Sequence, residues 1–420
     1  MSAGEKENAM RKILIVGAGQ AGLQTGLSLL EHGYDVTVMS ARTPEEIRGG
    51  RVMSTQAMFH TALQYERDYK LNLWEDQAPK IRGVGVSIAG SEGGRDLDWV
   101  GMLDNHAQSV DQRIKMAGWL ELFEDRGGKV IFHGVTTSDL DSLTRHYELV
   151  LIAAGKGELV QLFGRNPDRS PYSTTQRVLS VSYVHGAERR PEHPDMDAVR
   201  FNVTPGVGEL FVIPGVTLSG PCEIPFFEGL PGGPLDCWSD RPAAGEHWKR
   251  MLELMRQYFP WEYERFKHAE LTDSQATLSG GYPPVVRHPV GELPSGGIVL
   301  GMADVVVAND PITGQGSNNA SKCAASYLDS ILERGDRPFD REWMERTFER
   351  YWSVVEPVTT WTNAMLQPPP EHVMNLFTQA AETPAIRQRF VNAFDDPADF
   401  GNWFLDPELA EQYLREVARG

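Results

Sequence analysis

The chain has few cysteines and no long hydrophobic segment, and each absence excludes a class of protein. Its 420 residues include three cysteines, Cys222, Cys237 and Cys323, with no CxxC spacing between them. So sparse and odd a set supplies neither a disulfide framework nor a zinc site. No window of about 18 apolar residues is present, which predicts no membrane-spanning helix. The sequence also shows no signal peptide, and we expect a cytoplasmic protein.

Positive charge is scarce, and so are the residue patterns of hydrolytic or metal catalysis. The chain has 40 Lys and Arg against 58 Asp and Glu, a formal net charge of -18. This balance argues against nucleic acid or an anionic membrane as a partner, because both reward clustered cations. We find no Ser-His-Asp set, no metal-spaced histidines and no obvious pair of carboxylates. The sequence therefore favours a small neutral or organic substrate and predicts no metal site.

What the chain does contain is a nucleotide-binding pattern near its start. Residues 11–42 read RKILIVGAGQAGLQTGLSLLEHGYDVTVMSAR, a strand, a glycine turn, a helix and a second strand. Gly17, Gly19 and Gly22 form G-x-G-x-x-G, in which the glycines permit a tight turn, close approach to a pyrophosphate and close helix–strand packing. The helix N-terminus adds positive potential for the phosphates. We predict a dinucleotide site here.

The second strand lacks the acid that such a site usually carries at its end. Ser40 stands 23 positions after Gly17, where a ribose-binding Glu is expected. One interpretation is that another residue binds the ribose. A second is that the dinucleotide is held weakly enough to come and go. A third, suggested by Arg42, is a 2′-phosphate and hence NADP.

A second motif, near residue 300, argues for a flavin and against NADP. The strand GGIVLG leads to Asp304 and then to DPITGQGSNNA, a glycine-rich loop that opens a helix. Asp304 can accept a hydrogen bond from a ribityl hydroxyl, and Gly314 and Gly316 let backbone N–H groups approach the isoalloxazine edge. Reduced flavin carries negative charge near N1 and O2, which a helix N-terminus stabilises.

The order of elements predicts an α/β protein with a discontinuous Rossmann-type FAD-binding domain. Alternating runs such as VRFNVTPG and GELFVIPGV predict an inserted antiparallel β-sheet domain for the substrate. The C-terminal part is rich in helix formers, and its Trp and Phe residues are expected to pack in a core. We assign 11–44, 80–170 and 290–335 to the FAD-binding domain, 45–79 and 171–289 to the substrate domain, and 336–420 to a helical region.

Several stretches together resemble the FAD epoxidase component of styrene monooxygenase and its indole monooxygenase relatives. They are ILIVGAGQAGL, GGRVMSTQA, SVDQRIKM, RGGKV, YELVLIAAGK, LGMADVVVANDPITGQGSNNAS and TTWTNAMLQPPPEH, and they span nearly the whole chain. The resemblance implies an aromatic-hydroxylase-like fold and FAD delivered in reduced form by a separate NADH-dependent flavin reductase. It also implies a flavin C4a-hydroperoxide, formed with O2, that oxygenates an aromatic or heteroaromatic small molecule by epoxidation, hydroxylation or sulfoxidation.

The two motifs and the resemblance together give the candidate cofactor-binding residues. These are Gly17, Gly19, Gln20, Ala21, Gly22, Ser40, Ala41, Arg42, Arg51, Arg113, Ala154, Gly155, Asp304, Pro311, Gly314, Gln315, Gly316, Ser317 and Asn318. Tyr282 matches the link that lies near the flavin in the family. In the predicted β domain, Pro214, Phe226 and Phe227 are candidates to face the pocket, with core packing as the alternative.

One segment departs from the family's pattern. Styrene and indole monooxygenases read Asn-Thr-Val-Ala-His where this chain reads Ser54-Thr55-Gln56-Ala57-Met58. The resemblance places these side chains near flavin and substrate, so Ser54, Gln56, Met58 and His60 are the catalytic candidates. Either His60 replaces the lost His, or one residue is inserted here. Ser54 and Gln56 can bond a polar group on a larger substrate, or the change is neutral drift on a pocket wall. Styrene and indole themselves are therefore open to test.

Two other functions remain open from sequence. The first is a self-sufficient NAD(P)H-dependent FAD hydroxylase, although such enzymes usually carry an Asp-Gly pair where this chain has Ala154-Gly155-Lys156-Gly157. The second is a flavin carrier or redox sensor without catalysis. A transient reductase complex, O2 and an aromatic substrate are the expected partners, and a homodimer is an assembly to test.

Overall fold

The computed structural model describes residues 10–54, 56–155 and 157–419. Thr55, in the departing segment, and Lys156, in the loop that lacks an Asp, therefore lie outside the described residues. Within the described part the chain forms two main sheets and twelve α-helices. No helix of this part is long and apolar enough to cross a membrane.

The first sheet has six strands, and its buried apolar strands are those that the nucleotide-binding pattern predicts. The strands are β1 (Lys12–Val16), β2 (Asp35–Ser40), β5 (Lys129–Phe132), β6 (Leu149–Ile152), β15 (Val290–Glu292) and β16 (Ile298–Gly301). Their order is β15-β16-β6-β1-β2-β5, and only β15 pairs antiparallel to its neighbour. Three long helices pack with it, α1 (Gln20–Glu31), α4 (Gln112–Asp125) and α8 (Gly316–Arg334). The predicted Rossmann-type fold is confirmed.

The second sheet has nine strands and carries the alternating β sequences. Its strands are β3 (Ile81–Ala89), β4 (Arg95–Ala107), β7 (Val178–Ser182), β8 (Val184–His185), β9 (Ala198–Thr204), β10 (Gly208–Thr217), β11 (Gly220–Gly229), β12 (Glu270–Leu271) and β13 (Thr277–Gly280). The main path runs β12-β8-β11-β10-β9-β3-β4, with β7 joining β11 to β13. All pairs are antiparallel except β3 with β9. β14 (Val285–Val286) and β17 (Val307–Ala308) form a separate two-stranded sheet.

The strand pairing differs from the sequence interpretation in one respect. We assigned residues 80–170 to the FAD-binding domain, yet β3 and β4 lie in the nine-stranded sheet, where β3 pairs with β9. The physical reason is a long-range register that local sequence does not carry, because β3 and β9 are separated by the whole of α4, β5 and β6. Elsewhere the domain boundaries stay a prediction.

The remaining helices complete the fold. They are α2 (Pro44–Arg48), α3 (His60–Asp68), α5 (Thr137–Leu143), α6 (Ala244–Tyr258), α7 (Pro260–Phe266), α9 (Arg341–Met365), α10 (Glu371–Ala380), α11 (Pro384–Asn392) and α12 (Pro407–Val417). The predicted C-terminal helical region is thus present. Its aromatic residues pack in a core, since Trp361 stacks on Phe400 with ring centroids 4.2 Å apart. Trp361 also meets Phe394 edge to face.

Candidate active site

Two connected cavities lie at the carboxyl ends of β1 and β6, where open α/β sheets bind their ligands. We call the first the nucleotide groove, about 520 Å³ in volume. We call the second the reaction cavity, about 260 Å³, enclosed between the glycine loops and the nine-stranded sheet. Both are lined by Gly19, Gln112, Ala153, Gly155 and Asp304. An elongated ligand can therefore extend from one cavity into the other.

The glycine turn at the head of α1 is built for close backbone packing. Gly17 has φ +119°, and a Cβ there would lie 2.7 Å from the backbone of Ala153 and Ala154. A Cβ on Gly22 would lie 2.1 Å from the Gly17 carbonyl oxygen. Gly19, in contrast, faces open space, with nothing within 4 Å of an added Cβ. Gly17 and Gly22 thus shape the turn, and Gly19 leaves room for a ligand.

The N-terminus of α1 is free to receive a phosphate. Gly19 is its N-cap, no side chain caps the helix, and its first turn holds no acid. Gln20 and Ala21 line the reaction cavity beside it. Gln20 also donates to Glu66 Oε1 at 2.9 Å, and Lys115 donates to the same oxygen. This buried network ties α1 to α3 and α4, so the helix end is rigidly placed.

The far end of the nucleotide groove has weak anchors for a ribose. Ser40, Ala41, Arg42 and Ala154 line the groove as predicted. The Ser40 hydroxyl donates to the Arg42 carbonyl oxygen at 2.7 Å, which closes the turn after β2. A carboxylate that sequence reasoning missed, Glu158, also lines the groove and accepts from Thr137 Oγ1 at 3.2 Å. Glu158 is therefore the candidate for a ribose-binding residue other than Ser40.

The flavin loop, which we define as residues 309–318 to include the start of α8, forms the opposite end of the site. Pro311, Gly314, Gly316 and Ser317 line the reaction cavity. Gly314 adopts φ +65°, and a Cβ on Gly314 or Gly316 would meet nothing within 4 Å. The N-terminus of α8 has no side-chain cap and no acid in its first turn. The loop therefore presents open backbone and a positive helix end to the cavity.

Two predicted loop residues face the protein and not the cavities. Gln315 donates through Nε2 to the Phe394 carbonyl oxygen at 3.0 Å. Asn318 donates to the Ala57 carbonyl oxygen at 2.9 Å and accepts from the Phe59 backbone N–H at 2.8 Å. Both side chains line neither cavity. They fix the start of α8 against its neighbours, so we interpret them as positioning residues.

The departing segment places only part of its predicted residues at the site. Ser54 and Gln56 line the reaction cavity, together with Ala57 and Phe59, which were not predicted. Met58 and His60 line neither cavity. Met58 pairs with Gln108 in an isolated β-bridge, and its sulfur lies 3.1 Å from Lys115 Nζ. His60 begins α3, so the structure does not place it where it can replace the family's lost His.

Gln56 links three parts of the site. Its Oε1 accepts from Ser317 Oγ at 2.9 Å and from Gln112 Nε2 at 3.5 Å. Its Nε2 donates to the Val110 carbonyl oxygen. These bonds occupy the amide oxygen and connect the segment to α4 and to the start of α8. The side chain is thus better suited to hold Ser317 in place than to bind a substrate group.

Two predicted arginines lie away from the cavities. Arg51 is exposed and lines neither. Arg113 is 1% exposed and forms ion pairs with Asp111 at 2.8 Å and Asp273 at 2.9 Å. Burial lowers the pKa of Arg113, but hydrogen bonds to Asp273 and Asp111 outweigh it and the pKa is raised. Arg113 is therefore a permanently charged structural residue that connects Asp111 to Asp273.

The nine-stranded sheet supplies an apolar wall of which sequence analysis identified only Phe226 as a candidate. Its contributing residues are Val84, Val199, Phe201, Phe211, Ile213 and Phe226. Residues at i and i+2 share a face of a strand, so apolar pairs such as 199/201 and 211/213 are the sequence signal that could have indicated this wall.

Phe226 faces the cavity as proposed, whereas Phe227 packs on Phe259 of the opposite layer. Pro214 lines a separate small cavity, and Tyr282 lines the reaction cavity.

Two acidic side chains at the flavin loop are buried, Asp310 within the loop and Glu228 beside it. Asp310 accepts from the Ile312 backbone N–H at 3.1 Å, and burial raises its pKa to about 6. Burial, with Asp310 and Glu209 nearby, raises the pKa of Glu228 well above its usual range. Asn309 lines the reaction cavity, and its buried Nδ2 has no hydrogen-bond partner among the described residues. An unpartnered donor there fits an acceptor on a bound ligand.

These features fit FAD. Two uncapped helix N-termini, open glycines at both ends of one continuous space, and an unpartnered amide donor match a dinucleotide with a polar ring edge. Gly155 and Asp304 mark the middle, since a Cβ on Gly155 would lie 2.9 Å from Asp304 Cβ. Asp304 lines both cavities there.

Comparison with known proteins agrees with this geometry. Residues 155–265 match the family described as "Styrene monooxygenase A putative substrate binding domain". The styrene monooxygenase StyA of Pseudomonas fluorescens is 31% identical over 97% of this chain and 98% of its own length. The StyA protein of a Pseudomonas sp is 30% identical, also over 97% of this chain and 98% of its own.

Solved structures share the fold at much lower identity. The flavin-dependent brominase Bmp2 has a TM-score of 0.69 and 15% identity, covering 98% of this chain and 100% of that one. The tetrameric form of 2-methyl-3-hydroxypyridine-5-carboxylic acid oxygenase has a TM-score of 0.57 and 13% identity, covering 96% and 98%. At these identities the likeness shows the fold alone.

Proposed function

The chain belongs to the styrene monooxygenase family, and on that premise we propose that it oxygenates a neutral aromatic or heteroaromatic small molecule. It is a two-component monooxygenase that uses O2 and FAD supplied in reduced form. Epoxidation, hydroxylation and sulfoxidation are all compatible with the proposal. The two relatives are styrene monooxygenases by name, and styrene is the first substrate to test.

The observation that carries the proposal is the apolar wall facing the flavin loop. Phe201 and Phe211 lie edge to face at 4.5 Å between ring centroids, and Phe226 extends the row at 5.9 Å from Phe211. All three line the reaction cavity opposite Gly314 and Gly316. An aromatic ring can pack on this row while its reacting edge faces the flavin side.

When bound, reduced FAD would activate O2, and the protein's task is positioning and exclusion of water. Backbone N–H groups at the starts of α1 and α8 would hold the phosphates and the pyrimidine edge. Gln56 and Ser317 would fix the geometry of the loop. Buried apolar walls keep water and stray protons out, which limits wasteful release of H2O2. The roles of all predicted site residues stay proposals.

The FAD must be reduced by another protein before it is used, so we propose a transient complex with an NADH-dependent flavin reductase. A two-component system implies such a partner. We also propose a cytoplasmic location, supported by three cysteines that are all free. A homodimer is the assembly to test first.

The test is a coupled assay with a generic NADH:flavin reductase, FAD, catalase and a panel of styrene, indole and methyl phenyl sulfide. We expect an epoxide, a blue indole-derived pigment or a sulfoxide from at least one of them. Reductase alone is the control. In a parallel run without catalase, the absence of product from every panel member together with recovery of all consumed O2 as H2O2 would contradict the proposal.

The same assay separates the two alternative functions. Product formation with NADPH and FAD but without reductase would indicate a self-sufficient hydroxylase. Binding of reduced FAD with no oxygenation of any panel member would indicate a carrier or sensor.

A further inference from the structure

A second apolar cavity adjoins the reaction cavity. Its volume is about 500 Å³, and we call it the second chamber. It lies between the nine-stranded sheet and the C-terminal helices, with Val203, Met374 and Phe377 among its walls. An apolar cavity of about 150 Å³ is enough to bind benzene. The second chamber therefore has room for a substituted aromatic ring.

The two cavities occupy the same face of the sheet at neighbouring positions. β3 and β9 pair in register as Val84 with Val199, Val86 with Phe201 and Ile88 with Val203. The first pair lines the reaction cavity and the third lines the second chamber. The middle pair lies between them. One layer of side chains therefore separates the two spaces.

Two residues line both cavities and form this partition. Phe201 closes it from the sheet, and Ile312 closes it from the flavin loop. Both are buried, at 8% and 1% exposure. An aromatic ring and a branched aliphatic chain can shift between rotamers, so the partition is a side-chain barrier and not a backbone wall.

The other end of the second chamber reaches the surface. It is lined there by Pro205 and Gly206 of the β9–β10 turn and by Pro368, Pro369 and Pro370, all of them exposed. These prolines form the run between α9 and α10 that stood out in the sequence. The chamber thus extends from solvent to the partition beside the flavin loop.

The chemistry of the chamber selects a neutral ligand. Its one buried cation, Arg177, is paired with Glu209 through two hydrogen bonds of 2.8 and 3.1 Å. The charges of Arg177 and Glu209 cancel, so this pair offers no unmatched charge to an ionic ligand. The remaining inner walls are mostly Val, Ile, Leu, Met and Phe side chains. The half-buried polar exceptions, Thr204 and His372, bond the backbone carbonyl oxygens of Tyr258 and Phe404. Burial of apolar surface is therefore the driving force available to bind a guest.

We propose that the second chamber is a binding site for a neutral aromatic molecule of the substrate class, held one side-chain layer from the reaction cavity. The class of ligand rests on the proposed function. Binding itself does not, because it can be measured without flavin or turnover. An apolar substrate would be concentrated at this site and enter the reaction cavity by displacing Phe201 and Ile312.

Two valines of β9 provide a matched pair of variants. Val203 lines the second chamber alone, and Val199 lines the reaction cavity alone. They lie on the same face of the same strand, four residues apart. Val203→Trp narrows the second chamber, and Val199→Trp narrows the reaction cavity. Met374→Trp, on α10, narrows the second chamber from its other wall.

The experiment titrates each flavin-free protein with 4-fluorostyrene and follows the ¹⁹F NMR signal, with thermal melting to confirm folding. We expect two equivalents bound by the wild type, and one of the two sites weakened at least tenfold in each of Val203→Trp and Val199→Trp. Met374→Trp should match Val203→Trp, and it replaces that variant if Val203→Trp does not fold. A wild type that binds one equivalent, or second-chamber variants that retain both sites at wild-type affinity, would overturn the proposal.

A kinetic arm distinguishes failure of this proposal from failure of the proposed function. With reductase and styrene, Val203→Trp should lower kcat/KM about tenfold while kcat at saturation changes less than twofold, because only capture of substrate is impaired. Two bound probes with no oxygenated product would contradict the function and leave the chamber standing. Product formation with an unchanged kcat/KM in Val203→Trp would contradict the chamber alone.

Discussion

The two ends of the cofactor site are built differently. At the nucleotide groove the strand β2 ends in Ser40, whose hydroxyl bonds its own turn, and residues 41–44 after it include no acid. At the flavin loop, Gln315, Ser317 and Asn318 each have a buried hydrogen-bond partner. The loop is thus organised before flavin arrives, while the ribose end is loosely anchored. This difference suits a flavin that is captured reduced and later released.

The largest expected effect separates the two kinds of glycine in the turn. Gly22→Ala places a Cβ 2.1 Å from the Gly17 carbonyl oxygen. We expect this clash to lower the free energy of unfolding by about 3 kcal/mol and to abolish FAD binding. Gly19→Ala meets nothing within 4 Å, so the flavin-free protein should melt as the wild type does. Its methyl group occupies ligand space, and affinity for reduced FAD should fall more than tenfold. Melting curves and flavin titrations check both variants. Equal melting temperatures for Gly22→Ala and Gly19→Ala would contradict the different roles of the two glycines.

Placing an acid at position 40, at the end of β2, should increase the affinity for FAD. We expect Ser40→Glu to tighten binding of oxidised and reduced FAD alike by about tenfold, because a charge-assisted bond to a ribose is worth about 1.5–3 kcal/mol. Ser40→Gln is the control of equal size without the charge. The ratio of the two affinities should not change, since this end is remote from the ring. An unaffected affinity would mean that another group, with Glu158 as the candidate, already anchors the ribose.

Removing a hydrogen bond that holds the flavin loop should lower the yield of product per O2 consumed more than it lowers the affinity for FAD. Gln56→Leu removes the partner of Ser317 and leaves the Val110 carbonyl oxygen without its donor. We expect product formed per O2 consumed to fall about threefold, at a stability cost of about 1–3 kcal/mol. Gln108→Leu is the control, because Gln108 is also buried and bonds backbone carbonyls but lies outside the reaction cavity. Similar coupling in the two variants would remove Gln56 from the account.

The smallest effect concerns the buried carboxyls below the loop. Burial raises the pKa of Glu228 well above its usual range and that of Asp310 to about 6. A carboxyl whose pKa is higher in the folded state stabilises the fold at low pH and loses that contribution as the pH rises through the folded pKa. Glu228→Gln should therefore raise the melting temperature at pH 8 by about 1–4 °C and change it little at pH 5. Calorimetry at both values checks this, and an unchanged pH dependence would contradict it.

Sequence predicted best what depends on local spacing. The turn at Gly17, Gly19 and Gly22 and the loop from Asp304 to Gly316 are short motifs. Backbone geometry requires glycine at Gly17 and Gly22, and Gly19 leaves room for a ligand. Their positions in the structure agree, with Gly19 and Gly316 in the same cavity. The α/β architecture followed from the same elements.

Sequence predicted least well what depends on long-range register. The wall formed by Val84, Phe201 and Phe211 requires the parallel pairing of β3 with β9, which no local pattern states. The pairing also moved β3 and β4 out of the predicted FAD-binding part. In the segment after Arg51, Ala57 and Phe59 face the cavity while Met58 and His60 do not. That orientation is set by the Met58–Gln108 bridge, between residues 50 positions apart.

The central claim is that the organised end of the site recognises the reduced ring. The most direct measurement is the dissociation constant of reduced FAD, determined anaerobically, against that of oxidised FAD on the same protein. The open N-terminus of α8 should favour the anionic reduced ring, so we predict at least tenfold tighter binding of reduced FAD. Tighter binding of oxidised FAD would contradict the account.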